Sequence, residues 1–163
     1  MIYIGIDPGK SGAMAVISGP GVEDNGKVLD ILNFDLEAYR ECLVRTLKLE
    51  YSYSNFIFVP YKIAIEQVHA MPGQGVTSMF HFGENFGQIC GLLTGLGLKY
   101  ECVTPMKWKK CMGVSSDKQT SIQRALEYFP DAPLMKSKRS RVPDNNRAEA
   151  LLLALFGRDY ITK

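Results

Sequence analysis

The sequence predicts an α/β fold, a five-stranded mixed sheet whose first three strands run antiparallel and whose faces are flanked by helices. Three observations carry this expectation. Three short apolar runs near the N-terminus are separated only by turn residues. Further apolar runs then alternate with segments of helical periodicity. Finally, the chain has 163 residues, 46% of them hydrophobic, enough for one core and too few for two ordinary domains, so residues 1–163 are expected to form a single domain.

The elements follow in order. Ile2 to Asp7 reads as a buried strand, Gly12 to Ser18 as a second after the Pro8-Gly9 turn, and Lys27 to Phe34 as a third after a turn rich in Gly, Asp and Asn from Gly19 to Gly26. Asp35 caps a helix through about Leu49, in which Leu36, Tyr39, Leu43 and Leu47 recur at helical spacing. Tyr61 to Glu66 is a fourth strand, Met79 to Gly95 a helix and Leu98 to Thr104 a fifth strand. Helices are expected over Pro105 to Met112, Asp117 to Phe129 and Asn145 to Arg158, with Met135 to Pro143 left as a basic loop. The order βββαβαβα is the signature of an RNase H-like architecture.

Composition narrows the classes. No apolar run approaches the roughly 20 residues needed to cross a bilayer. Met1-Ile2-Tyr3-Ile4 begins directly as a strand, so no secretory leader is expected. Cys42, Cys90, Cys102 and Cys111 are scattered and form no Cys-x-x-Cys pair, which argues against zinc and against a disulfide framework and favours a reducing, cytoplasmic setting. Charge is unevenly distributed. Eleven Lys or Arg and five Asp or Glu lie between Lys99 and Arg147, so that segment carries +6 while the whole chain carries +2. A basic segment beside an acidic remainder suits a protein that grips phosphates with one part and gathers carboxylates for a metal with another.

Three acids are candidates for that metal. Asp7 ends the first apolar strand and is aimed by it, with a Pro-Gly turn behind; taken alone it would merely open an Asx turn. Glu66 is the single acid near the end of Ile63-Ala64-Ile65-Glu66-Gln67-Val68, where an unpaired carboxylate is costly. Glu149 sits among small and apolar residues in Arg147-Ala148-Glu149-Ala150-Leu151-Leu152, close to the helix face that packs on the sheet. All are oxygen ligands, which favour Mg²⁺ or Mn²⁺ over zinc.

At these residues the sequence resembles the RuvC-type Holliday-junction resolvases, particularly their compact phage and prophage members. The matching stretches are Gly5-Ile6-Asp7-Pro8-Gly9 with Ser11-Gly12, Ile65-Glu66-Gln67-Val68, the block Met71-Pro72-Gly73-Gln74-Gly75-Val76 to Phe82-Gly83, and Arg147-Ala148-Glu149-Ala150-Leu151-Leu152. The resemblance implies a homodimeric endonuclease of a bacterial or phage-infected cell. Its substrate would be the four-way junction and possibly other branched DNA, cut by phosphodiester hydrolysis with two divalent ions per subunit, Mg²⁺ or its substitute Mn²⁺. Asp7, Glu66 and Glu149 then take the family's metal-binding positions, and Asp7 is the expected bridging ligand.

One position departs from the pattern. Phage-type members read His-Asp-Gly-Arg-Ala-Glu before the last helix, with an acid four residues ahead of the Glu. Here Asn145 stands in that place and Asp144 one residue earlier. An i, i+4 pair shares a helix face, whereas an i, i+5 pair is offset by about 140°. Either Asn145 offers a neutral carbonyl oxygen, or Asp144 bends toward the site in addition to capping the helix.

Phosphate contacts are expected from Lys107, Lys109, Lys110, Lys118, Lys136, Lys138, Arg139, Arg141 and Arg147, with Lys118 favoured by the resemblance. By resemblance, too, His69 occupies the place of an aromatic that stacks on a base at the junction centre, while His81 is expected to be structural. Trp108, although flanked by lysines, is expected to anchor its helix in the core. Two rival functions stand beside the nuclease. The Gly-Ile-Asp-x-Gly opening also occurs in actin-like ATPases and sugar kinases, but those need two lobes. The alternative that Asn145 sustains is a branched-DNA-binding protein, non-catalytic or weakly active, with a degraded metal site.

Overall fold

The computed structural model describes residues 1–19, 26–48, 59–67 and 75–161. Val68, His69 and the Met71 to Gln74 part of the family-like block lie outside the described residues, as does most of the turn expected before the third strand.

Among the described residues, five strands and five helices follow in the expected order. They are β1 (Ile2–Asp7), β2 (Ala13–Ser18), β3 (Val28–Asn33), α1 (Leu36–Leu47), β4 (Tyr61–Glu66), α2 (Val76–Gly95), β5 (Glu101–Val103), α3 (Pro105–Met112), α4 (Lys118–Tyr128) and α5 (Asn145–Tyr160). They form one five-stranded sheet of order β3-β2-β1-β4-β5. β1 is antiparallel to β2, and β2 to β3, while β4 runs parallel to both β1 and β5. The mixed sheet with an antiparallel first half is thus present, and β1 and β4 are neighbours.

Alternation along the strands divides the core in two. Ile4 and Ile6 of β1, Met14 and Val16 of β2, and Ile63 and Ile65 of β4 pack with Tyr39, Leu43 and Leu47 of α1 and Ile89 and Leu93 of α2. The opposite face carries Tyr3, Ala13, Ala15, Ile17 and Ala64 against α5, whose residues 147–157 are all buried. α5 lies so close to β1 that a Cβ on Gly5 would stand 2.1 Å from the Ala150 carbonyl oxygen and 2.2 Å from the Ala154 nitrogen. Only glycine permits that approach, and it seats the middle of α5 on β1 two residues before Asp7.

Helix ends obey their local chemistry. Asp35, Thr104, Asp117 and Asp144 each cap a helix by accepting a backbone N–H with the side chain. β5 is shorter than the Leu98 to Thr104 expected. Gly97 turns left-handed (φ 69°) and Leu98 donates its N–H back to Leu93, so Leu98 closes the end of α2 and is not part of the strand. α2 starts three residues earlier than its apolar pattern, because Val76 is helical although 86% exposed. Among the described residues no helix is long and apolar enough to cross a membrane.

Candidate active site

Asp7 is delivered by β1 and locked by the turn that follows. Its side chain accepts the Gly9 N–H at 3.2 Å, and the Gly12 N–H donates to the Gly9 carbonyl at 2.7 Å. The turn closes so tightly that a Cβ on Gly12 would lie 2.1 Å from the Asp7 carbonyl oxygen. The Asx turn is therefore the device that aims Asp7. Burial pushes its carboxyl up to about 7; Glu66 and, less strongly, Glu149 add to the rise, opposed by the Gly9 N–H and by Lys109.

Glu66 reaches the same sheet edge from the next strand. Ile6 stands opposite Ile65 in the parallel pair, so each chain meets its acid one residue further on. Glu66 Oε2 accepts the indole N–H of Trp108 at 2.8 Å. Glu149, buried on α5, accepts from Lys109 Nζ at 2.9 Å and from Ser121 Oγ at 3.3 Å, both at Oε1. One turn before it, Asn145 presents a buried Oδ1 with no hydrogen-bond partner. The only other such side-chain atom among the described residues is the hydroxyl of Tyr39, whose pKa is raised by burial and then by Asp7. Asp144 turns its carboxylate to the Arg147 N–H as the N-cap, at 3.1 Å.

These residues fit a hard divalent cation in their chemistry. The donors are all oxygens, Asp7 carries a charge that its surroundings disfavour, and the Asn145 amide oxygen is buried without a donor. They do not yet close around one point: among the described residues no three His, Cys, Asp or Glu side chains do. Glu149 is drawn to Lys109, and Glu66 is held by Trp108.

The basic residues fall into two groups. Lys107, Lys110, Lys118, Lys136, Lys138, Arg139 and Arg141 are exposed; Lys107 lies 3.6 Å from Glu101, and Lys118 begins α4. Lys109 and Arg147 are turned inward. The Arg147 guanidinium donates to the Asn33 side chain at 2.8 Å and to the Ile31 and Pro133 carbonyls at 2.6 and 3.0 Å. It ties α5 and the start of the basic loop to β3, and Asn33 also donates to the Lys136 carbonyl. His81 is exposed on α2 beside Glu84, because its position on the helix faces away from the sheet. With Lys10, Gly75, Thr77, Ser78, Met79 and Phe82 it lines a cavity of about 670 Å³. That cavity adjoins Asp7 across Gly9, whose Cβ position is 3.6 Å from Asp7 Oδ1 and 3.8 Å from Phe82 Cε2.

Trp108 does anchor α3 in the core, fully buried, but its contact with Glu66 was not legible in the sequence, nor was that of Ser121 with Glu149. A signal for the first existed, since a buried indole N–H must find an acceptor.

No family model and no curated protein matches the sequence. Solved structures do match the fold. A Thermus thermophilus RuvC structure in complex with a Holliday junction substrate is 15% identical, with a TM-score of 0.61 over 97% of this chain and 96% of that one. A second Thermus thermophilus RuvC structure is 18% identical, with the same TM-score and coverage. The chain has the RNase H-like fold of RuvC.

Proposed function

We propose that this chain is a divalent-metal-dependent endonuclease acting on branched DNA, four-way junctions foremost. The observation that carries the reading is that the buried carboxyl of Asp7, at the end of β1, is pushed up to about 7 by burial with help from Glu66 of the adjacent strand and Glu149 of α5. A carboxyl whose charge is disfavoured by burial and by neighbouring acids is the kind of oxygen donor that a hard cation relieves. The likeness in fold to a RuvC bound to a Holliday junction supports the choice of substrate.

In this reading Asp7, Glu66 and Glu149 would hold Mg²⁺ or Mn²⁺, two ions per subunit, and Asn145 would add an amide oxygen; ions held there would supply the Lewis acidity that activates water and offsets charge on a scissile phosphate. The ionised form of Asp7 is the ligand, and burial disfavours it until a cation offsets the charge. Asp144 serves the helix as its cap, which leaves Asn145 as the fourth donor. The exposed Lys107, Lys110, Lys118 and the 136–141 loop grip phosphates around the site. The cavity beside Asp7 gives unpaired DNA a place to enter.

The reading includes a homodimer. α2 exposes Val76 and Phe80 (86% and 69%), and Gly83, Gly87, Gly91 and Gly95 recur every fourth residue with open space at each Cβ position. A second copy of the helix can approach such a face closely. The non-catalytic alternative draws on the Lys109 ammonium seated at Glu149. Purified protein incubated with labelled four-way, forked and linear DNA, with and without Mg²⁺ or Mn²⁺, separates the two. Metal-dependent cuts in the junction support the nuclease, and tight junction binding without cuts supports the binder.

A further inference from the structure

Trp108 is the one tryptophan of the chain and is fully buried. Its ring belongs to the same apolar cluster as Val103, Met112, Ala148 and Leu152, so packing fixes the direction in which its N–H points. An indole nitrogen is a donor only, and burial obliges it to find an acceptor. It finds Glu66 Oε2 at 2.8 Å, 42 residues away in the chain.

The backbone brings the two residues together. Val103 of β5 stands opposite Glu66 in the parallel ladder, and the Gln67 N–H donates to the Val103 carbonyl at 2.8 Å. Thr104 then caps α3, and Trp108, one turn in, donates its backbone N–H to the Thr104 carbonyl. One strand end, one cap and one helical turn return the indole to the carboxylate of the adjacent strand.

The next residue supplies an instructive contrast. Lys109 meets Glu149 with a full positive charge, and so offsets the charge that a cation would use. Trp108 meets Glu66 with a neutral donor. It orients the carboxylate without bringing a charge of its own.

We infer that Trp108 is a positioning residue of the metal centre, a rigid donor that holds one oxygen of Glu66 in place and thereby sets the affinity for the divalent cation. This rests on the nuclease reading above. Donors behind a ligand fix its orientation, and losing one typically weakens metal binding by about 10- to 100-fold.

The test is Mn²⁺ binding by calorimetry to the full-length parent, Trp108→Phe and Glu66→Gln, with melting curves and junction affinity in EDTA measured alongside. Trp108→Phe retains an aromatic ring and removes the donor. The expected result is Mn²⁺ affinity about 10-fold weaker, with junction affinity in EDTA unchanged and cleavage restored by excess Mn²⁺. A purely packing role would lower the melting temperature and leave the Mn²⁺ affinity of the folded protein alone, and equal affinity overturns the inference. Should Trp108→Phe lose cooperative melting, the emission of Trp108 in the parent decides. A saturable change with Mg²⁺ that disappears in Glu66→Gln upholds the inference, and silent emission overturns it. A parent that binds no Mn²⁺ overturns the nuclease reading itself, and this inference with it.

Discussion

Lys109 places its ammonium nitrogen 2.9 Å from Glu149 Oε1, so a helix that supplies none of the three acids neutralises one of them. The pair is largely buried, with side-chain exposures of 24% and 11%. Breaking such a pair from one side leaves a charge without compensation. Lys109→Met is therefore expected to lose roughly 2 kcal/mol of stability without divalent ions, short of the full cost of a buried pair because both groups keep some water. Adding Mg²⁺ should raise the melting temperature of Lys109→Met more than that of the parent. Equal Mg²⁺ shifts in the two proteins would show that Lys109 does not stand in for a cation at Glu149.

Asp7 carries a stability cost whose sign can be worked out. Its folded pKa, about 7, lies above its ordinary value of 3.8, so the folded protein binds more protons than the unfolded chain between those pH values. Stability attributable to this group is present below about pH 4 and is lost as pH rises through about 7. Asp7→Asn removes the buried charge while keeping an oxygen for the Gly9 N–H. It is expected to be the more stable protein above pH 7 by up to roughly 4 kcal/mol, with the gain vanishing near pH 4 and shrinking when Mg²⁺ is added. Chemical denaturation at pH 4.5 and pH 8 checks this, and a gain that does not depend on pH would refute it.

Substitutions at positions 144 and 145 test which of the two would be a fourth ligand. Asn145 Oδ1 is buried without a partner, and Asp144 is engaged as the N-cap. Asn145→Asp should lower the Mg²⁺ concentration needed for half-maximal cleavage, because a carboxylate binds a hard cation more tightly than an amide. Asp144→Asn should leave it unchanged, since Asn caps a helix about as well as Asp. The reverse outcome in a Mg²⁺ titration would move the ligand to Asp144.

The exposed loop offers a separate test of DNA contact. Neutralising Lys138, Arg139 and Arg141 together should weaken binding to branched and linear DNA alike. Each lost phosphate contact should reduce the slope of log K against log salt by about one. An unchanged slope would make the loop a solvated charge run.

How much of this was legible in the sequence depended on the direction of each signal. β1, β4 and α5 could be read because an acid at the end of an apolar strand, or amid an apolar helix face, is conspicuous and periodicity fixes its side. That β1 and β4 are neighbours is a property of the ladder and of neither run by itself. Charge counting was less informative, because it cannot tell which side chains turn inward. Lys109 and Arg147 were counted with the phosphate-facing residues, yet they reach Glu149 and the β3 backbone, across 40 and 116 residues of sequence. The neighbours of Arg147 held a hint, since Ala148 and the leucines that follow mark a helix sunk into the core. β5 was overextended for a similar reason: Leu98 is apolar enough for a strand, but its burial serves the end of α2.

If Asp7, Glu66 and Glu149 form one metal-dependent nuclease site, cleavage of a labelled four-way junction must separate the parent from Asp7→Asn. The parent should cut in Mg²⁺ and not in EDTA. Asp7→Asn should bind the junction in EDTA as tightly as the parent and cut it at least a hundredfold more slowly at saturating Mg²⁺, the order of about 3 kcal/mol or more in transition-state stabilisation. Cutting by Asp7→Asn at the parent's rate would mean that the three acids are not a nuclease site.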